Sequence, residues 1–127
     1  MANIKSVAIV DDEKDLVRTY ELLFKRRGIP MAFTAYNGHD AIERFRAADP
    51  KPALVIIDFR LLDMDGLDVM KEVLALQPGT KVIFISGDDS IRKDALDAGA
   101  AVFMKKPTDI KVITATVNSL LDREVAK

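Results

Sequence analysis

The sequence predicts a single α/β domain, a doubly wound (βα)5 fold in which helices cover both faces of a parallel five-stranded sheet. Continuous apolar runs recur along the chain, as is typical of strands buried on both faces. Longer segments with apolar residues at helical spacing separate these runs, and the connections are short. Because the pattern fills all 127 residues without a linker or repeat, we expect one domain over residues 1–127.

Five short apolar runs are the expected strands. The second run is weaker than the others and contains Pro30, which indicates an edge position because proline cannot donate to a strand ladder. The five runs are Val7–Val10, Ile29–Ala35, Ala53–Asp58, Lys81–Ser86 and Ala100–Met104.

Each run is followed by a segment with the apolar spacing of an amphipathic helix. Gly28 and Gly99 indicate the ends of the first and fourth helices, and the fourth is expected over Ser90–Ala98. Asn37 opens the second helix, and Thr108 is expected to cap the fifth. The apolar positions that define the other helices are Leu16, Tyr20, Leu23 and Phe24; Ala41, Ile42 and Phe45; Leu67, Met70, Val73 and Leu74; and Ile110, Ile113, Val117, Leu120 and Leu121.

Composition excludes several classes of function. The chain has no cysteine, which excludes disulfides, thiolate metal sites and cysteine nucleophiles. Its one histidine, His39, argues against a zinc site or a Ser-His-Asp triad, and we expect it at the surface without a role. The net charge is −1 and the basic residues form no stripe, so no direct nucleic-acid binding is expected. The apolar run near the N-terminus is too short for a signal peptide or a membrane span, which predicts a cytoplasmic protein.

Polar residues end four of the five predicted strands. In open parallel sheets, ligands bind beyond the carboxyl ends of the strands, where the strand order reverses. For the order 2-1-3-4-5, strands one and three flank that point, so the acids that follow them should meet there. The polar strand-end residues are Asp11, Asp12, Asp58, Ser86, Lys105 and Lys106.

Three carboxylates in one place repel each other unless cations intervene. Lys106 supplies one positive charge, and Mg²⁺ suits a site built from a few carboxylates, a carbonyl and water; Mn²⁺ can substitute. A carboxylate beside Mg²⁺ and a lysine is arranged to accept a phosphoryl group. We therefore expect Asp58 to act as the nucleophile and the Ser86 hydroxyl to bind a phosphoryl oxygen.

The strand-end motifs resemble those of two-component response regulators. "VDDE", "DFRLLDMDG", "SGD" and "KP" follow strands one, three, four and five in order, as in the CheY-like, flavodoxin-like receiver domain. The resemblance covers essentially the whole chain. It implies phosphorylation by a histidine kinase or phosphotransfer protein, followed by reshaping of the face formed by helix four, strand five and helix five for a downstream protein. It also implies a stand-alone receiver without an output domain, monomeric or dimerising on phosphorylation.

The resemblance also implies a role for each site residue. Asp58 is the phospho-acceptor and a Mg²⁺ ligand. Asp12 binds Mg²⁺ directly, Asp11 acts through water, and the backbone carbonyl of Arg60 completes the protein ligands. Such a domain catalyses its own phosphorylation and dephosphorylation, and no turnover of external phosphate esters is expected.

The switch residues follow from the same resemblance. Ser86 and Phe103 are the switch hydroxyl and the switch aromatic, and Lys106 binds the phosphoryl group. The Lys106–Pro107 peptide is expected to be cis. The sequence departs from the commoner family pattern at four positions, where Thr, Ala, Pro and Tyr are frequent: Ser86, Gly87, Leu62 and Phe103.

Two further expectations concern the loops around Asp58. Arg60 and Asp88 each lie two residues beyond a site residue, and we hypothesise that they pair over the pocket and slow hydrolysis of phospho-Asp58. Asp63 and Asp65 are interpreted as turn and N-cap residues of helix three.

The residues argue against three other functions. A haloacid-dehalogenase-type phosphatase would have an acid two residues after Asp58, where Arg60 stands. A flavodoxin-like FMN carrier would have a hydroxyl- and glycine-rich phosphate loop, whereas "VDDEKD" is acidic and repels phosphate. A degenerate receiver that serves only as a docking surface would not need the complete acid set and Lys106.

Overall fold

The computed structural model describes residues 5–121, in which strands and helices alternate along the chain. A single 3-10 turn, Asp89–Ile91, leads directly into the fourth helix. The strands are β1 (Val7–Val10), β2 (Met31–Ala35), β3 (Leu54–Asp58), β4 (Lys81–Ser86) and β5 (Val102–Lys105). The helices are α1 (Lys14–Arg26), α2 (Gly38–Ala47), α3 (Gly66–Leu76), α4 (Arg92–Asp97) and α5 (Ile110–Leu120).

The five strands form one parallel sheet in the order β2-β1-β3-β4-β5. This confirms the predicted doubly wound fold and the edge position of β2. The order reverses between β1 and β3, so the residues that follow these two strands emerge side by side. The register pairs Val10 of β1 with Ile57 of β3, and Asp58 is the next residue along β3.

The sheet separates two apolar layers. Helices α1 and α5 cover one face, where Phe24 and Ile113 are fully buried. Helices α2, α3 and α4 cover the other face, where Phe45 and Phe84 are fully buried. Because both faces are covered, every residue of β1 and β3 is buried, which explains why these strands are continuous apolar runs.

The ends of two helices are as predicted from their glycines. Gly28 after α1 and Gly99 after α4 have positive φ angles of 69° and 119°. The φ angle of Gly99 favours glycine there; an added Cβ atom would also lie 2.7 Å from the Leu74 Cδ1 atom, at the flexible end of that side chain.

The predicted cap of α5 was wrong. Asp109 is the N-cap, and its carboxylate accepts a hydrogen bond of 2.8 Å from the Lys111 backbone N–H. The Thr108 hydroxyl instead donates to the Lys105 carbonyl at 2.8 Å. Either side chain can cap a helix, and the strand-to-helix turn places the carboxylate rather than the hydroxyl over the first free N–H groups.

The start of the fifth strand also differs from the prediction. Ala100 belongs to the turn after α4, because its N–H donates to the Ala95 carbonyl at 3.0 Å, and pairing with β4 begins at Val102. The Lys106–Pro107 peptide is cis, as the family resemblance implied, and the Asp49–Pro50 peptide is also cis, which no pattern in the sequence indicated. Within residues 5–121, none of the helices has the length and apolar character needed to span a bilayer.

Candidate functional site

An acidic cleft lies beyond the carboxyl ends of β1 and β3. Asp11 directly follows β1 and Asp58 ends β3, and their exposed fractions are only 4% and 5%; Asp12 is half-buried. Carboxylate oxygens of the three residues lie within 4.8 Å of one another. The structure therefore brings together the three acids that the topology rule placed at this edge of the sheet.

Lys106 enters the cleft from the end of β5. Its Nζ atom lies 2.9 Å from Asp58 Oδ1, 3.5 Å from Glu13 Oε1 and 3.7 Å from Asp11 Oδ2. The Lys106 backbone N–H donates to the Ser86 carbonyl at 2.8 Å. This bond extends the β4–β5 pairing and holds the backbone of Lys106 in place. One ammonium group thus faces three carboxylates, so the cleft is short of positive charge.

The pKa values of the cleft follow from this charge balance. Burial raises the pKa of Asp11 to about 6, with a further rise from the Asp58 charge, against hydrogen bonding from the Glu13 N–H. Burial also raises the pKa of Asp58, although the hydrogen bond from Lys106 opposes it. Desolvation lowers the pKa of Lys106, but its bond to Asp58 and the surrounding carboxylates outweigh this and raise it to about 12. The acids are held in an environment that disfavours their charge, and the lysine remains protonated.

A cavity of about 750 Å³ opens onto these groups. Its wall combines the acids with the loop that follows β4 and the residues around Lys106, so a ligand in it would contact several strand ends at once. The residues that line it are Asp12, Glu13, Asp58, Arg60, Ser86, Gly87, Asp88, Asp89, Lys105 and Lys106.

The donor set fits a hard divalent cation. The acid cluster offers only oxygen ligands, one atom from each of Asp11, Asp12 and Asp58 within 4.8 Å, and Arg60 lines the same cavity. Mg²⁺ prefers a site with a few protein carboxylates and room for water ligands, whereas Zn²⁺ favours nitrogen and sulfur ligands. A divalent ion would also supply the positive charge that the cleft lacks.

Residues 7–118 match the family model for the response regulator receiver domain. The chain belongs to this family. It is 31% identical over 117 residues to the chemotaxis protein CheY of Treponema pallidum, covering 91% of this chain and 81% of that protein. The chemotaxis protein CheY of Thermotoga maritima is 30% identical over 118 residues, covering 91% and 97%. The prediction of a CheY-like receiver of two-component signalling is therefore confirmed.

The fold of the receiver domain is found in solved structures as well. A chain in the crystal structure of the CheX-CheY-BeF3-Mg+2 complex from Borrelia burgdorferi superposes with a TM-score of 0.84 at 28% identity, covering 92% of this chain and 89% of that chain. A CheY-like receiver domain protein from Methanospirillum hungatei superposes with a TM-score of 0.86 at 23% identity, covering 94% and 95%.

The two predicted switch residues lie on neighbouring strands of the receiver domain. Ser86 ends β4 and is buried, and its Oγ atom accepts a hydrogen bond of 2.9 Å from the Asp88 N–H. Phe103 lies in β5 with 7% of its surface exposed, stacked on Phe84 at 6.4 Å between ring centroids. The hydroxyl is thus engaged by its own loop, and the aromatic ring packs against the neighbouring strand.

The predicted pairing of Arg60 with Asp88 is not present. Both residues line the cavity, but among the described residues no ion pair joins them. Asp88 Oδ1 instead accepts hydrogen bonds from the Ser90 hydroxyl at 2.6 Å and the Ser90 N–H at 2.9 Å. These bonds lower the pKa of Asp88, because they stabilise its charged form. The local turn after β4 therefore supplies the hydrogen bonds of this carboxylate, and the Arg60 charge lowers its pKa further without forming an ion pair.

Asp63 lies in the bend before α3, as predicted, but its carboxylate contacts a different helix. Asp65 is the N-cap of α3, as predicted, and accepts from the Asp68 N–H at 3.0 Å. Asp63 reaches across to the start of α2, where its carboxylate accepts from the backbone N–H groups of Gly38 and His39 at 2.7 and 2.9 Å. The His39 ring Nδ1 lies 2.6 Å from the same carboxylate, so His39 has a structural contact that the sequence did not indicate.

The hydrogen bonds at Asp63 determine its acidity. Partial burial raises the pKa of this carboxyl, but the His39 and Gly38 N–H groups and the His39 ring outweigh it and lower the pKa to about 2. Helix α2 thus begins with two side-chain caps, Asp63 from the β3–α3 loop and Asn37, which accepts from the Asp40 N–H at 2.8 Å.

Sequence reasoning missed three residues near the site. Glu13 contacts Lys106 and directly follows the acidic pair, so its position in "VDDE" was the available signal. Asp89 lines the cavity and binds Arg92, whose guanidinium covers the ring of Phe103. The contact between Arg92 and Phe103 joins α4 to β5 and depends on how the helix packs, so no local pattern could have indicated it.

Proposed function

We propose that this receiver domain accepts a phosphoryl group on Asp58 from the phosphohistidine of a histidine kinase or phosphotransfer protein. The observation that supports this best is the contact of 2.9 Å between the buried Asp58 carboxylate and Lys106, at the floor of an open cavity and beside two more acids. A carboxylate in such a position is accessible, polarised and unable to pair fully with one lysine. Phosphoryl transfer requires mainly positioning and charge neutralisation, and the cleft supplies both.

The transfer step balances as a displacement at phosphorus. An oxygen of Asp58 forms a bond to phosphorus as the bond between phosphorus and the histidine nitrogen breaks, and the electron pair returns to the imidazole. The product is an acyl phosphate on Asp58 and a free histidine in the donor. Lys106 stays within reach of the phosphoryl oxygens and offsets their charge. Hydrolysis reverses the modification: water attacks phosphorus, the bond between phosphorus and the Asp58 oxygen breaks, its electron pair returns to the carboxylate, and inorganic phosphate is released.

The metal expected for this chemistry is Mg²⁺, which Mn²⁺ can replace. When bound, it would neutralise charge on the phosphoryl oxygens. Asp12 and Asp58 would hold it directly, Asp11 through water, and the Arg60 backbone carbonyl would complete the protein ligands. The three acids also need such a cation for their own charge balance, as the raised pKa values of Asp11 and Asp58 indicate.

The output of the domain is proposed to be a change of surface rather than turnover of a substrate. Ser86 would leave the Asp88 N–H and donate its hydroxyl to a phosphoryl oxygen, and Phe103 would turn into the space that Ser86 vacates. The face formed by α4, β5 and α5 would then bind a downstream protein. Phe103 lacks a phenolic hydroxyl, so the active state of this domain is held by packing rather than by a hydrogen bond at that position.

The remaining attributes are proposals of the same kind. We propose that residues 1–127 form one receiver domain, and that the protein acts in the cytoplasm through protein contacts, is monomeric and can dimerise on phosphorylation. It catalyses its own phosphorylation from small donors and its own dephosphorylation, and does not turn over external phosphate esters.

Incubation with acetyl phosphate and Mg²⁺ tests the phospho-acceptor. Intact-mass analysis should show the addition of one phosphoryl group, and hydroxylamine should release it because an acyl phosphate is labile to nucleophiles. Asp58→Asn should abolish the addition, whereas Asp68→Asn, a change of the same charge at an exposed position on α3, should leave it intact. Equal labelling of the Asp58→Asn protein, or no labelling of the wild type, would refute the proposal.

A further inference from the structure

The ring of Phe103 is held on two sides. Its inner side stacks on Phe84, with 6.4 Å between centroids and 20° between planes. Over the ring lies the guanidinium of Arg92, the first residue of α4, with its Cζ atom 4.6 Å from the centroid. A cation at this distance from an aromatic face is attracted by the ring quadrupole, more strongly where water is excluded. The proposed switch aromatic is therefore covered by a cation.

Arg92 is itself held from the direction of the cavity. Its Nη2 and Nε atoms lie 3.0 and 3.2 Å from Asp89 Oδ1. Asp89 lines the same cavity as Asp58 and Lys106, whereas Arg92 is not among the lining residues. Two successive contacts, from Asp89 to Arg92 and from Arg92 to Phe103, thus connect the wall of the phosphorylation cavity to the ring.

We propose that Arg92 is a positioning residue of the switch, which holds Phe103 in its present rotamer until an anion on Asp58 weakens the hold through Asp89. The inference rests on the proposed function and names the residue that couples the site to its output face. The Arg92, Asp89 and Phe103 side chains that form the coupling are called the Arg92 latch below.

The physical basis is competition between anions. A phosphoryl group on Asp58 adds a charge of about −1.5 to −2 in the cavity that Asp89 lines. Like charges repel, so Asp89 is driven from its present position, and the guanidinium that it orients is drawn toward the larger negative charge. Arg92 then no longer covers the ring, and Phe103 is free to change rotamer. Without the anion, the latch favours the present rotamer, and with it Phe103 can turn toward the space that Ser86 vacates.

Thermodynamic linkage and direct electrostatics predict opposite effects of removing Arg92 on the affinity for the anion. If the latch stabilises the state that binds the anion poorly, its removal increases the apparent affinity for the anion. Loss of a cation near the cavity would by itself reduce that affinity. Arg92→Gln should therefore tighten binding of beryllofluoride, a phosphoryl mimic, by about two- to fivefold, the range allowed by one cation–π contact at a partly exposed site.

The test is a titration of the full chain with beryllofluoride at saturating Mg²⁺, followed by nitrogen–proton NMR. Lys93→Gln is the matched control, because it removes the same charge one residue along the same helix from an exposed pair with Asp97 at 2.7 Å. Its affinity should be unchanged or slightly weaker. Arg92→Lys keeps the charge but loses the planar fork that binds Asp89, and its affinity should lie between those of the wild type and Arg92→Gln.

A second measurement needs no variant. The side-chain protons of Arg92 lie over the Phe103 ring and should be shifted upfield by its ring current in the free wild type, and this shift should disappear when beryllofluoride binds. Affinity of Arg92→Gln at or below that of Lys93→Gln, or a ring-current shift that survives binding, would overturn the latch while leaving the proposed function intact. Failure of the wild type to bind beryllofluoride at all would refute the proposed function and the latch with it.

Discussion

Carboxylates at two places in this domain, the acidic cleft and the start of α2, have surroundings with opposite effects on their charge. In the acidic cleft, Asp11 and Asp58 are buried beside one another with a single lysine, and their pKa values are raised. At the start of α2, Asp63 receives hydrogen bonds from Gly38 and His39, and its pKa is lowered to about 2. The charged form of aspartate is therefore destabilised in the cleft and stabilised at the start of α2.

The difference lies in the donors rather than in the acids. Asp63 faces free N–H groups at a helix start, which carry no competing charge and favour a carboxylate by hydrogen bonding and by the helix dipole. The cleft offers Asp11 one backbone N–H and a share of Lys106. A carboxylate that already accepts hydrogen bonds from several donors has little capacity to bind a ligand. A carboxylate with too few donors is stabilised when a cation binds or a phosphoryl group is added. The unsatisfied group therefore marks the functional site.

The largest expected effect is stabilisation of the cleft by its metal. A ligand that binds only the folded state stabilises it by about 2.7 kcal/mol when present at 100 times its dissociation constant. Thermal unfolding of the wild type should therefore shift upward by the corresponding amount in Mg²⁺. Asp63→Asn should show the same Mg²⁺ shift as the wild type from a lower starting point, whereas Asp12→Asn should lose most of it.

Asp58→Asn tests the same contrast, because its effect on stability should change sign when Mg²⁺ is added. Without Mg²⁺ it relieves repulsion in the cleft, and the variant should be more stable than the wild type. With Mg²⁺ it lacks a ligand, and the order should reverse. An Asp58→Asn protein that is less stable than the wild type in the absence of divalent ions would show that the cleft is not strained by its charges.

The two carboxylate groups also differ in how far the sequence revealed them. The cleft could be predicted, because each of its acids ends a continuous apolar strand and the topology rule gathers strand ends at one edge. The contact of Asp63 with α2 could not, since it joins residues 24 and 25 positions apart through a loop whose path no periodic pattern encodes. For the same reason, Asp65 was predicted correctly as a cap: its partner, Asp68, lies three residues away.

The pairing predicted between Arg60 and Asp88 shows that the sequence predicts location better than bonding partners. Equal spacing from two site residues placed both at the cavity, as the structure does. It could not decide between partners, because Ser90 lies closer along the chain and forms a local turn with Asp88. Sequence position therefore predicts which residues gather at a strand edge better than which side chains bond there.

The next largest effect is expected from removing the Asp63 carboxylate, whose hydrogen bonds are complete. Asp63→Ala removes the acceptor for two helix N–H groups, and caps of this kind contribute about 0.5–2 kcal/mol each. We expect a loss of about 1–2 kcal/mol in the free energy of unfolding by urea at neutral pH. Asp68→Ala, at an exposed position of the neighbouring helix, is the control and should change stability by much less. Equal losses for both would mean that the Asp63 contacts contribute nothing specific.

The smallest effect is a pH dependence that separates the two groups of acids by sign. Asp63 has a folded pKa of about 2, below the value of 3.8 for an unperturbed Asp, so its stabilising effect is complete above about pH 4 and lost as the pH falls toward 2. Asp11 has a folded pKa of about 6, so acidification from pH 6 to 4 relieves its strain and acts in the opposite direction. The stability of the wild type alone mixes both contributions.

The difference between wild type and Asp63→Asn isolates the contribution of Asp63, because the cleft is common to both proteins. Measured by urea unfolding without divalent ions, this difference should stay constant from pH 7 to about 4.5 and shrink steadily below pH 4. Carbon-detected NMR of the Asp63 carboxyl should place its midpoint below 3, while that of Asp11 lies near 6. A difference that stays flat down to pH 3 would require Asp63 to titrate alike in the folded and unfolded chains. The hydrogen bonds at the start of α2 would then have no effect on its charge, and the contrast with the cleft would rest on burial alone.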